Sequence, residues 1–255
     1  MKLENSFFKT LMGSWRGKFL LLAFFSVFSY YSLGYSFRLV GHLHDWRQAT
    51  LARCIDAALW TFVISRIARG SLSRFKLPKF DMRLLWVGLV MAFFAYPHFR
   101  GGHIPNESVW HFLWVFIFSL GIGLDEETFS RGLIFAIFEK KSVWVATAVS
   151  AISFGAFHLS NFRGGQELPY TIAQSVNAAA AGVLLAGLMI YSGSIWVPIV
   201  MHALWDFPLV TIKGLGQGHV QISWGDVLAQ FFENGLMIAV GLLLVWMGVG
   251  VNRYR

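Results

Sequence analysis

Between Leu168 and Trp205 the only ionisable groups are Tyr170, Tyr191 and His202, over a length that suffices for two helices. Such a run cannot coat a water-soluble domain. A spanning helix needs about 20 mostly apolar residues, and inside lipid only helices and closed barrels satisfy their own backbone. The same constraint recurs along the chain: Phe19 to Phe37 is uncharged, and Ser142 to Phe162 holds one titratable group, His158. Only 13% of the 255 residues are charged and 56% are hydrophobic, against about 25% charged in a typical soluble domain. These features predict an all-α, polytopic membrane protein embedded in a lipid bilayer.

The 21 Lys and Arg outnumber the 13 Asp and Glu. They cluster between apolar runs, most densely as Arg66, Arg69, Arg74, Lys76, Lys79 and Arg83 against Asp81. That is the pattern of a cytoplasmic loop, not of a nucleic-acid stripe, and no nucleic-acid partner is expected. A single cysteine, Cys54, excludes an intramolecular disulfide and a Cys-based zinc site. The basic start, Lys2, Lys9, Arg16 and Lys18, resembles a secretory signal, but the apolar run after it is too long and no Ala-x-Ala-like site follows. It is read as the first membrane helix.

Taken in order, the predicted helices are Phe19 to Phe37, Cys54 to Ser65 with a start near Ala49, Leu84 to Pro97, Ser108 to about Phe138, Ser142 to Phe162, two across Leu168 to Trp205, and Asp226 to Val251. That makes about eight membrane helices, on the usual spanning length. Pro97 to Pro105 and Gly214 to Gly225 read as loops, and Ser192-Gly193-Ser194 as a break where Gly193 stops one helix and Ser194 caps the next. Residues 1–107 would hold the N-terminal helices and basic loop, 108–210 the polar motifs, and 211–255 a loop and the last helix, all in one membrane domain. Both termini are expected on the cytoplasmic side of an inner or plasma membrane.

Within the apolar runs, three groups of polar residues stand out. Glu126-Glu127-Thr128-Phe129-Ser130-Arg131 interrupts one run, and an ionisable group at bilayer depth costs ~2.5–3.5 kcal/mol on insertion scales. Glu127 and Arg131 are one helical turn apart and can pair; Glu126 points about 100° away, with no cation at its own spacing. Glu126 is therefore the candidate for chemistry, with Glu127 and Arg131 in support. Phe154 and His158 share a face, as do His202 and Asp206, so Asp206 can hold His202 in one tautomer or both can face a common ligand. Small residues, Gly155, Ala156 and Ala178 to Gly182, allow close helix approach there. A carboxylate and two imidazoles suit activation of water and stabilisation of an oxyanion. Glu126, His158, His202 and Asp206 equally suit a divalent metal such as zinc, although no H-E-x-x-H helix is present.

Jointly, E-E-x-x-x-R (Glu126, Glu127, Arg131), F-x-x-x-H (Phe154, His158) and H-x-x-x-D (His202, Asp206), with Gly193-Ser194-Ile195-Trp196-Val197-Pro198-Ile199 before the last, resemble the CAAX protease and bacteriocin-processing family of intramembrane proteases over Ser108 to Val210. The resemblance implies an endopeptidase that cuts membrane-embedded or membrane-anchored proteins or peptides, as a CAAX prenyl protease does. It implies Glu126 and His158 as activators of water, and His202 with Asp206 at the oxyanion. Many members of the family carry Asn where this chain has Asp206, and an anionic Asp cannot donate to an oxyanion. Asp206 would then orient His202, be protonated, or bind metal.

A count of about 1.5 Å per residue puts Glu126 and His158 some 20–25 Å from the cytoplasmic end, but His202 only about 12 Å from Gly193. Either Pro198 bends its helix or the Gly193 turn lies inside the membrane. Two rival functions use the same groups: a non-enzymatic scaffold or immunity-type protein in which they brace helices, and a proton-coupled transporter, against which stands the absence of an inverted repeat with paired broken helices.

Overall fold

The computed structural model describes residues 10–40, 46–100, 107–213 and 224–252. Every regular element among them is helical: α1 (Trp15–Val40), α2 (Trp46–Ile67), α3 (Met82–Arg100), α4 (Val109–Glu127), α5 (Phe135–Glu139), α6 (Val143–His158), α7 (Leu168–Ser192), α8 (Trp196–Lys213) and α9 (Trp224–Asn252). A π-helical stretch, Thr128–Ile134, joins α4 to α5 as one rod. The expected all-helical membrane architecture is present. By length and composition, four segments among the described residues suffice to cross a bilayer: Val109–Glu139, Val143–Arg163, Leu168–Ser192 and Gln230–Gly250; Met82–Pro97 is apolar but shorter.

Helix ends follow the local chemistry. Ser108 and Ser142 have extended backbones and accept from His111 N at 3.2 Å and Val145 N at 3.4 Å, capping α4 and α6. Gly193 adopts φ +73°, the left-handed conformation that glycine takes without penalty, and closes α7 through a bond from its N–H to Met189 O. Ser194 Oγ then accepts from Trp196 N at 3.3 Å, so the predicted break is where α7 ends and α8 begins. One expectation fails at Pro97. It lies inside α3, which continues through His98 to Arg100. A proline gives up a single N–H bond, and the helix carries on beyond it. Residues 101–106 and 214–223, where the rest of the two predicted loops fall, lie outside the described residues.

α7 is the central helix and packs along both α6 and α9; α8 lies against α4 and α7, α2 against the other side of α4, and α1 outside α2. Trp60 of α2, Phe129 of the π-helical stretch and Phe157 of α6 touch in a row, tilted and then edge-on, with centroids 4.6 and 5.0 Å apart. Below them the basic loop folds inward. Its 3-10 segment, Arg69–Phe75, binds the rod through the Arg74–Glu139 ion pair and Ser71 Oγ to Glu139. Arg74 O, Phe75 O and Lys76 O accept from Ile195 N, Trp196 Nε1 and Ser194 Oγ at 2.9, 2.8 and 2.7 Å.

This loop resolves the depth discrepancy. Ile195 and Phe75 both stand 3.6 Å from where a Cβ on Gly132 would be, so the start of α8 is level with Gly132 and not with the end of α5. Gly132 is about 9 Å below Glu126, and His202 about 10 Å above Ile195, so the two counts meet at one height. Pro198 falls in the first turn of α8, where its missing N–H has no partner to lose, and it is not the cause.

Candidate active site

α4 ends in three consecutive acids, Asp125, Glu126 and Glu127. Successive helical side chains diverge by about 100°, so the three face different neighbours. Asp125 Oδ2 meets Arg53 Nη1 of α2 at 2.8 Å. Glu126 Oε1 lies 3.3 Å from the same nitrogen, and its Oε2 lies 3.7 Å from His202 Nε2. Glu127 Oε1 accepts from Arg131 Nη1 at 2.9 Å and stands 3.0 Å from His202 Nδ1. The π-helical stretch starts at the next residue, a rare geometry common at functional sites.

α4 and α8 come close enough for this because of Gly123. A Cβ there would stand 2.6 Å from Ile199 O and 3.4 Å from His202 Cβ. On the α7 side, Arg131 Nη2 donates to Gly182 O at 3.1 Å. Its guanidinium lies 4.5 Å from the Phe154 ring centroid. That ring also meets His202 and His158 edge-on, with centroids 5.7 and 5.0 Å away. Phe154 is thus the shared wall of the site.

The arrangement is layered. Glu127 and Arg131 have fully buried side chains, His202 is 9% exposed, and Glu126 and Asp206 are 26% and 24% exposed. The Glu127–Arg131 pair lies innermost, and the two outer carboxylates flank His202 Nε2, with Asp206 Oδ2 3.4 Å from it.

Several contacts differ from those expected. Glu127 and Arg131 pair at helical spacing, as read from the sequence. Glu126 does have a cation, supplied by α2 rather than by its own helix. Glu127, not Asp206, engages His202 Nδ1, and Asp206 stands at Nε2 instead. His158 places Nδ1 2.9 Å from Phe154 O and reaches the cluster through the Phe154 ring; among the described residues no hydrogen bond or ion pair joins it to Glu126, His202 or Asp206. Nor, among those residues, is any group of three or more His, Cys, Asp or Glu disposed to hold a metal ion.

Arg53 and Asp125 escaped the sequence reading. Their signals were a third acid beside Glu126 and an Arg53/Asp56 pair at the mouth of a short apolar run.

Apolar helices enclosing a cluster of carboxylates, guanidiniums and imidazole define a helical membrane protein with a polar internal site. Residues 107–208 match the family model of type II CAAX prenyl endopeptidase, Rce1-like, the same family that the three motifs resemble. That family is one of protein-cleaving hydrolases that act on membrane-associated substrates. No curated protein and no solved structure matches the chain.

Proposed function

We propose that this chain is an intramembrane endopeptidase of the CAAX-protease kind, with Glu126 as its general base. The observation that carries the reading is the convergence of Glu126 and Asp206 on His202 Nε2, at 3.7 and 3.4 Å, within the segment that matches the family. Glu126 takes a proton from water, whose oxygen bonds to the scissile carbonyl carbon. With Glu127 accepting at Nδ1, a protonated His202 Nε2 is the donor that turns toward the resulting oxyanion. The C–N bond then breaks, and the proton held by Glu126 passes to the leaving amine. His158, which meets the same Phe154 ring edge-on, shares that water with Glu126 when substrate is in place. Asp206 steadies the Nε2 proton.

The substrate would be a membrane-anchored or membrane-embedded protein whose cleavage segment reaches the open Glu126 side. A cytoplasmic basic loop and about eight crossings in a plasma membrane complete the proposed topology, with both termini cytoplasmic. The direct test compares membrane proteomes of cells carrying the wild type and Glu126→Ala at equal abundance. A precursor that stays uncut only in the variant supports the reading; identical proteomes contradict it.

A further inference from the structure

We propose that Arg53 on α2 is a positioning residue for Glu126, and that Asp125 is the anchor that aims it. The proposal rests on the endopeptidase reading, but it concerns a helix outside the family match. Arg53 Nη1 is shared between Asp125 Oδ2 at 2.8 Å and Glu126 Oε1 at 3.3 Å. Asp125 is 3% exposed and sits behind; Glu126 stands at the mouth. A planar guanidinium held by the inner carboxylate fixes the outer one by one oxygen. The other oxygen, Oε2, is left directed at His202 Nε2.

The packing sets this register. A Cβ on Gly121, one turn before Asp125, would stand 3.5 Å from Arg53 Cβ and 3.6 Å from Thr50, so α2 and α4 are in contact at that height. One turn further along α2, the buried Asp56 accepts from Trp60 Nε1 at 3.2 Å, and Trp60 leads into the aromatic row beneath the site. Without Arg53, Glu126 has three side-chain torsions to order and, among the described residues, no partner nearer than 3.7 Å. A base displaced by about 1 Å can lose ~100-fold in rate.

The test is the paired variant Arg53→Met/Asp125→Asn, which removes one cation and one anion together and keeps the buried charge balanced. Full-length solubilised protein is assayed with a quenched-fluorescent peptide ending in a farnesylated CAAX box. kcat should fall about tenfold or more with KM within about twofold, the split expected of a group that acts only on the reacting geometry. Carbodiimide-driven amidation of Glu126 by glycine ethyl ester, mapped by mass spectrometry, needs no substrate and should accelerate severalfold. Arg53→Lys, a point charge on a flexible stem without the planar fork, should fall between, and it decides the matter if the paired variant does not accumulate. Wild-type kcat, or a changed KM alone, together with unchanged labelling of Glu126 would overturn the proposal. If Glu126→Ala still cleaves the peptide, the endopeptidase reading fails instead, and if the wild type does not cleave it the peptide is not a substrate; in either case the labelling rate alone judges Arg53.

Discussion

Glu127 Oε1 lies 3.0 Å from His202 Nδ1 and 2.9 Å from Arg131 Nη1, so one buried oxygen ties the π-helical end of α4 to the middle of α8 and to its own next turn. Both side chains of the Glu127–Arg131 pair are fully buried. Stripping one member from a buried ion pair leaves the other charge uncompensated, at a cost of about 3–5 kcal/mol. Glu127→Ala should therefore lower the thermal midpoint of the solubilised protein sharply. Glu127→Gln, which keeps one acceptor oxygen, should lower it less. Equal midpoints for Glu127→Ala and wild type would show that the pair does not hold the helices together.

Gly123 permits the approach that brings His202 within reach. A methyl group there would lie 2.6 Å from Ile199 O, a backbone atom that cannot swing aside, so α8 must shift. Overpacking of this kind costs roughly 1–3 kcal/mol. Gly123→Ala should remove most cleavage activity while the protein still reaches the membrane. Activity within the error of wild type would mean that the α4–α8 spacing is not critical.

Asp206 faces His202 Nε2 at 3.4 Å. Asn at this position, as in many proteins of the resembled family, replaces an anion by a donor. Asp206→Asn should retain most activity. Asp206→Ala, which leaves His202 Nε2 without this partner, should lower it sharply. Initial rates on the precursor found by proteome comparison measure both, and an inactive Asp206→Asn would assign the anion itself a part in the chemistry.

The inward-folded basic loop is held by partly exposed polar contacts, chiefly Arg74 and Ser71 on Glu139. Exposed ion pairs contribute only ~0–1 kcal/mol. Glu139→Ala should leave the thermal midpoint nearly unchanged but speed trypsin cleavage between Arg66 and Arg83. An unchanged cleavage rate would mean that the three backbone acceptors at Arg74, Phe75 and Lys76 suffice to hold the loop.

The parts of the site that were legible beforehand are those joined by helical spacing. Glu127 with Arg131 and His202 with Asp206 follow from the 3.6-residue period alone, and the ends at Ser108, Ser142 and Gly193 follow from capping chemistry. Contacts between helices were not legible. The 100° divergence of Glu126 from Glu127 gives a direction but does not say which helix waits there. For Glu126 it is Arg53, 73 positions earlier in the chain, and for Glu127 it is His202, 75 positions later. The depth of the Gly193 turn was hidden for the same reason, since the loop that receives it, Arg69–Phe75, is bound to it by backbone carbonyls that carry no sequence signature.

The most direct measurement is cleavage by purified Glu126→Gln, an isosteric change at a side chain 26% exposed and outside the buried Glu127–Arg131 pair. The account predicts that this variant melts as the wild type does and leaves the precursor uncut over a time in which the wild type converts it fully. Conversion at the wild-type rate by the Gln variant would contradict it.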